Sequence, residues 1–154
     1  MKQGKCLTAA ALLLCLAITM VGCSKDSILD KFNGLLHHVS QYALTDEKEL
    51  KGEKMEGEDT YIGSYTADYE DFSGTEYLFG GTGLERENGN ELTVTYELTV
   101  ESGSAELYWI DKDNRYMLTE TEGNGSHPLT LTTGDNYLVF EGEEFHGTLH
   151  VTVE

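Results

Sequence analysis

The sequence predicts an all-β domain, an antiparallel β-sandwich, preceded by an apolar leader and one amphipathic helix. Three observations lead there. The stretch ELTVTYELTVE, residues 91–101, alternates without a break: Leu92, Val94, Tyr96, Leu98 and Val100 fall on one face, and Glu91, Thr93, Thr95, Glu97, Thr99 and Glu101 on the other. That period of two marks a half-buried antiparallel strand. Short apolar runs of the same kind, SAELYWID, RYMLTET, HPLTLTT, NYLVFEG and HGTLHVTVE, follow to the C-terminus, separated by the clusters DKDN, EGNGS, TGD and EGEE. Gly, Asp and Asn are turn formers, so these clusters read as connections between strands. No helical period interrupts the pattern after Thr60. With TYIGSYTADYED in front, seven or more strands are expected, which argues for a sandwich.

The leader comes first in the chain. Lys2 and Lys5 precede an apolar run over residues 7–21, too short for a stable membrane span, and small residues follow. A positive start, an apolar middle and a small-residue cut site describe a secretory signal. A length of 154 residues accommodates such a segment beside one domain. The run MVGC, residues 20–23, resembles the lipobox of bacterial lipoproteins, with Met20 standing where Leu is usual. The resemblance implies cleavage between Gly22 and Cys23 and a diacylglyceryl group on Cys23, which then anchors the chain at the outer side of the cell membrane. Cysteine usage agrees. Cys6 and Cys15 lie in the segment to be removed, so Cys23 would be the one cysteine left, with no internal disulfide to form. Two acyl chains, at about 0.8 kcal/mol per buried methylene, suffice for stable anchoring where one does not.

Charge narrows the partners. The formal charge of −18 becomes −20 once Lys2 and Lys5 leave with residues 1–22. Nucleic acid is excluded as a partner, because its phosphates require a basic footprint. An anionic bilayer surface would repel the body as well, so the acyl group must hold it there.

Residues 23–59 are expected to form the lipidated cysteine, a helix and a charged tether, and residues 60–154 the sandwich. Ile28, Leu29, Phe32, Leu35, Leu36, Val39 and Tyr42 recur at helical spacing, with Ser27 as N-cap and Asp30 in the first turn, giving a helix over 27–43. Its apolar stripe calls for a surface to dock on. TDEKELKGEKMEGED, residues 45–59, is charged and nearly free of large apolar residues, and reads as a solvated tether.

Two resemblances sharpen the sandwich. LTTGDNY, residues 131–137, has the Leu–x–x–Gly–x–x–Tyr spacing of a tyrosine corner and resembles that stretch of fibronectin type III and immunoglobulin-like domains. It implies that the Tyr137 hydroxyl bonds back to backbone and fixes the crossing between the sheets, and Trp109 matches the buried tryptophan of such sandwiches. The added stretch FSGTEYLFGGTGLEREN departs from that pattern, and a jelly roll stays open as the alternative. More narrowly, DTYIGSYTADYEDFSGTEYLFGGT and GDNYLVFEGEEFHGTLHVTVE are similar to small lipoproteins of gut Firmicutes, which implies a location and a fold but no activity.

Candidate sites are few. Tyr61, Tyr65 and Tyr69 share one strand face, opposite Ser64, Thr66 and Asp68, and are expected in the core rather than as a sugar-stacking platform. Around DKDN, Tyr108, Tyr116 and Trp109 form the candidate ligand-binding set. Tyr108 and Tyr116 are the expected exposed rings, opposite in phase to Trp109. In YLFGGTG, Phe79 should fill the core while Gly80, Gly81 and Gly83 turn the chain; a phosphate loop would need a following Gly–Lys–Ser/Thr. Asp111, Asp113 and Asn114 could offer oxygens to Ca²⁺, but lack the spacing of a calcium loop and are ordinary hairpin residues. His146 and His150 would stand about 13.5 Å apart on a strand, too far to share zinc. No metal, cofactor or nucleophilic constellation is expected. The expectation is therefore a lipid-anchored, non-enzymatic module that binds an envelope protein or polysaccharide. A carbohydrate-binding module is its sharper form, and an accessory subunit of an envelope complex, docked through helix 27–43, is the alternative.

Overall fold

The computed structural model describes residues 42–154 except 84, 85, 87 and 88. The expected leader, Gly22, Cys23 and nearly all of the expected helix 27–43 lie outside the described residues, and Tyr42 and Ala43 at its end are not helical. Six antiparallel strands make up the rest: β1 (Glu53–Glu56), β2 (Gly63–Gly83), β3 (Glu91–Asp111), β4 (Asn114–Thr119), β5 (Gly123–Thr130) and β6 (Gly134–Val153). They form one continuous sheet in the order β1-β2-β6-β3-β4, with β5 also paired to β3.

The chain is all-β and antiparallel, as its alternation requires. The number of strands differs from expectation because EGEE, read as a turn, is a bend within β6, and the break between ELTVTYELTVE and SAELYWID is a bend within β3. ELTVTYELTVE and SAELYWID are the two halves of β3, and NYLVFEG and HGTLHVTVE the two halves of β6. Each long strand carries a β-bulge near its middle: at Tyr69 to Gly74 in β2, at Val100 to Ser104 in β3, and opposite them in β6. Asp71, Gly103 and Glu144 take positive φ there, at 51°, 74° and 49°. A bulge adds a residue, leaves the ladder intact on either side and sharpens the local bend. Gly103 is needed for a further reason: a Cβ on it would stand 2.1 Å from the Glu144 carbonyl oxygen.

The bends line up across the sheet and fold its two halves face to face, a sandwich-like arrangement built from one sheet. The main core fills the space between them. Tyr65, Tyr69, Val94, Leu98, Leu149 and Val151 come from the half near the C-terminus, and Leu78, Phe79, Leu107, Trp109, Leu138 and Phe140 from the other. Tyr69 stacks on Phe140 across the gap at 4.8 Å between centroids, a pairing worth about 0.5–1.5 kcal/mol beyond its buried area. The Tyr96 hydroxyl donates to the Leu118 carbonyl at 3.1 Å, and the Gly80 amide to the Thr60 carbonyl at 2.8 Å, closing both sides.

Two other expectations change. The charged stretch 45–59 is not a free tether. Within it Glu53–Glu56 is the edge strand β1, paired to β2 from Glu53 opposite Thr66 to Glu56 opposite Gly63. Glu53 and Glu56 sit where an edge strand meets solvent, while the Lys54 side chain is buried over the Phe79 ring, so composition alone could not separate the stretch from a tether. The glycines of YLFGGTG do not turn the chain: they continue β2, where Gly80 lets the strand approach β6, since a Cβ there would meet the Asn136 carbonyl oxygen at 2.1 Å. Phe79 is fully buried, as expected. The Tyr137 hydroxyl does bond to backbone, donating to the Tyr42 carbonyl at 3.1 Å. The corner itself is also tied by buried Asn136, whose amide donates to the Thr132 and Gly134 carbonyls at 2.7 and 3.0 Å.

Candidate functional site

The half of the sheet containing the β3–β4 hairpin buries side chains on both faces. Its inner face belongs to the main core. On its outer face, Tyr108 of β3 stands opposite Val139 of β6, which stands opposite Tyr77 of β2, and in the next row Ile110 stands opposite Tyr137. Tyr108, Ile110, Tyr137 and Val139 form a second buried cluster, against which Tyr42, Leu44 and Tyr77 pack. The N-terminal segment thus covers an apolar outer face. It is held there by the Thr45 amide donating to the Tyr77 carbonyl at 3.1 Å and the Tyr77 amide donating to Thr45 Oγ1 at 2.9 Å. The Tyr42 ring lies 5.7 Å from that of Tyr77 and 5.8 Å from that of Tyr137.

Between this segment and the hairpin lies an open cleft of about 180 Å³, walled by Tyr42, Tyr77, Tyr108 and Ile110, with Asp113, Asn114 and Arg115 at its hairpin side. The Arg115 guanidinium sits over the Tyr108 ring, 3.5 Å from its centroid. It forms an ion pair with Glu106 and lies 3.5 Å from Glu141. The Tyr108 hydroxyl donates to Glu141 at 3.2 Å. Burial, and then the Glu141 carboxylate, push that hydroxyl's pKa up, so Tyr108 stays a neutral donor at any ordinary pH. Burial raises the Tyr77 hydroxyl as well.

The hairpin places the expected aromatic set differently from the sequence reading. Lys112 and Asp113 form the turn, which sets Ile110 opposite Arg115 and Trp109 opposite Tyr116. Residues directly opposite share a face. Tyr116 therefore shares the face of Trp109, and Tyr108 has the other. Tyr108 is buried, Trp109 is 2% exposed in the main core, and Tyr116 alone of the three is exposed, at 51%. No platform of Tyr108 with Tyr116 exists. The correction was within reach, because once the turn is placed at DKDN the pairing across it follows by counting. Tyr61, Tyr65 and Tyr69 are core residues, as expected, so they offer no platform either.

Oxygen and nitrogen ligands are dispersed. The Asp111 carboxylate accepts from the Thr132 hydroxyl, and Asn114 Nδ2 reaches the Asp111 carbonyl at 3.4 Å, the arrangement of a turn. Among the described residues no three His, Cys, Asp or Glu side chains are grouped to hold a metal ion. His146 lies 3.3 Å from Glu101, and His150 Nδ1 lies 2.6 Å from the Thr66 hydroxyl.

Sequence reasoning missed a buried carboxylate. Glu76, 2% exposed, accepts from the Tyr65 hydroxyl at 3.0 Å, the Tyr69 hydroxyl at 2.5 Å and the Lys51 amide at 2.7 Å. Burial first, then the neighbouring Tyr65 and Glu76, raise the Tyr69 pKa; burial dominates for Tyr65 too. With its oxygens occupied, Glu76 clamps the fold where the halves of β2 meet. Its sequence signal was slight: Glu76 follows the bulge, where the alternation that marks inward positions breaks.

Among the described residues no helix is long and apolar enough to cross a membrane. No protein-family model matches the chain, and no curated protein matches it in sequence. Among solved structures, the secreted serine protease VesC from Vibrio cholerae is similar over 60% of this chain and 20% of its own, with 12% identity and a TM-score of 0.36. The chain thus spans about a fifth of that protein, and a likeness this distant carries no functional argument.

Proposed function

We propose that this chain is a lipid-anchored, extracytoplasmic, non-enzymatic binding module that takes an envelope ligand at the cleft between Tyr42, Tyr77 and the β3–β4 hairpin. The observation that carries this reading is the cleft itself, an opening lined by three tyrosines and Ile110 with the Asp113 carboxylate and the Arg115 guanidinium at its hairpin side. Rings that shape an opening and a few charged groups that orient what enters it are how binding sites hold a ligand. The anchor rests on the MVGC run and Cys23. The non-enzymatic part is supported by Glu76, the best buried carboxylate, whose oxygens are occupied by the fold's own donors. An accessory subunit of an envelope complex would use the same anchor and dock through residues 27–43.

Two measurements test the proposal. Labelled palmitate is expected to enter the wild-type chain in its native membrane and not Cys23→Ala; equal labelling of both, or of neither, overturns the anchor. Photo-crosslinking from a probe at Asn114 is expected to capture an envelope component that a probe at Thr148, on another part of the sheet, does not. Equal capture from both positions would refute the cleft as the binding surface. Capture from residues 27–43 alone would favour the accessory subunit.

A further inference from the structure

We propose that the cleft recognises an organic cation, an alkylated ammonium group carried by a larger ligand, and that Arg115 occupies the cation's place until the ligand arrives. This rests on the reading of the cleft as the binding surface and adds the chemistry of what enters it. Size comes first. At about 180 Å³ the cleft is smaller than the roughly 300–1,000 Å³ of pockets that enclose a whole small molecule, so it suits one protruding group.

The walls then select the charge. Tyr42, Tyr77 and Tyr108 line the opening, and the face of the Tyr108 ring, which carries partial negative charge, already holds a cation. Asp113 lies at the same opening, and Glu106 and Glu141 flank Arg115. An anionic group would meet these carboxylates in a chain whose net charge is already −18. A cation meets rings and carboxylates together.

The chain itself supplies the second observation. Its own cation, the Arg115 guanidinium, already lies on the Tyr108 ring at 3.5 Å, between Glu106 and Glu141. That is the full set of contacts a bound ammonium would need, made by a side chain from an edge strand that is 42% exposed. Exchange needs no opening of the core. The ligand takes the Tyr108 face and Glu141, while Arg115 swings toward solvent or keeps Glu106.

The test titrates the full chain with choline and, separately, with 3,3-dimethylbutanol, its uncharged isostere, following the amide resonances of Tyr77 and Asn114. Choline is expected to bind saturably and the isostere not. Arg115→Gln removes the competitor and is expected to tighten choline binding by about fivefold, the worth of one exposed cation–π contact. Glu141→Gln is expected to weaken it. Equal binding of choline and isostere would make the cleft merely apolar and overturn the proposal. So would loss of choline binding in Arg115→Gln with an unchanged near-ultraviolet spectrum, which would assign Arg115 to an anionic ligand, or the absence of choline binding in the wild type and the variant alike. None of these results touches the crosslinking contrast between Asn114 and Thr148, which judges the binding surface separately.

Discussion

Replacing Glu76 by alanine should destabilise the fold by breaking a buried hydrogen-bond cluster rather than by removing apolar packing. Three donors converge on that side chain: two tyrosine hydroxyls and the Lys51 amide. The Lys51 amide is partly buried and near the surface, so water can replace its acceptor, whereas the hydroxyls of Tyr65 and Tyr69 lie in the core. Leaving a buried donor without an acceptor costs about 1–3 kcal/mol. Without Glu76 the Tyr69 hydroxyl still has the Tyr65 oxygen at 3.3 Å to donate to, while the Tyr65 proton is stranded, which puts the expected loss at about 2 kcal/mol. Tyr65 retains the Gly52 amide at 2.9 Å as a donor to its oxygen, but that bond does not use its proton. For a body of this size, about 2 kcal/mol corresponds to a drop in Tm on the order of 8 °C. Urea unfolding followed by the fluorescence of Trp109, the one tryptophan and 2% exposed, reads the change directly. Glu76→Gln, which keeps one oxygen, should lose about half as much. The sharper check is a cycle. With Tyr65→Phe and Tyr69→Phe already in place, the donors are gone, and Glu76→Ala should cost less than half its original amount. A loss below about 1 kcal/mol in the wild-type background, or the same loss in both backgrounds, would refute the idea that Glu76 clamps the two halves of β2.

Alkaline pH should act on the same core. Burial, followed by the neighbouring Tyr137 and Asp59, pushes the Tyr61 pKa from 10.0 up to about 12, and Tyr65, Tyr69 and Tyr108 shift in the same direction. The folded chain then holds protons that the unfolded chain releases. The stability they contribute is complete below pH 10.0 and is lost as pH rises from there toward 12. Tyrosinate absorbance should therefore grow together with loss of the native near-ultraviolet spectrum; full tyrosinate formation in a chain that stays folded would contradict this. At the bulge of β3, Gly103→Ala should destabilise by about 2–4 kcal/mol, because the new Cβ meets the Glu144 carbonyl oxygen at 2.1 Å on a backbone at φ 74°. An unchanged urea midpoint would mean that the bend does not depend on that glycine.

Some of this was legible in residue order. Alternation through residues 91–101 marked Leu92, Val94, Tyr96, Leu98 and Val100 as one face; the first four are buried, and Val100, at the bulge, is partly buried. Tyr61, Tyr65 and Tyr69 were likewise assigned to the core from their spacing, and they lie there. Legibility failed where one local signal serves two geometries. A cluster such as EGEE suits a tight turn and a bulge equally, since both need unusual φ and tolerate exposed charge. Whether the chain reverses or bends depends on the strand beside it, and β2, β6 and β3 bulge at the same level. A charged run such as EKME, residues 53–56, likewise suits a tether or an edge strand, and only the free edge of β2 decides between them.

The cleft belongs to the second kind of information. Tyr42, Tyr77, Tyr108 and Arg115 are spread over more than seventy positions, and no spacing rule links them. They meet because β3 and β2 flank β6, which aligns Tyr108, Val139 and Tyr77 in one row, and because the N-terminal segment crosses that row. Side-chain period and composition act over neighbouring residues, so the sequence alone determined strand character, the inward face and an acidic surface. Long-range pairing, the alignment of three bulges and the burial of Glu76 arise from contacts between distant segments. Only the tertiary structure could decide them, because each is set by which backbone edges find one another.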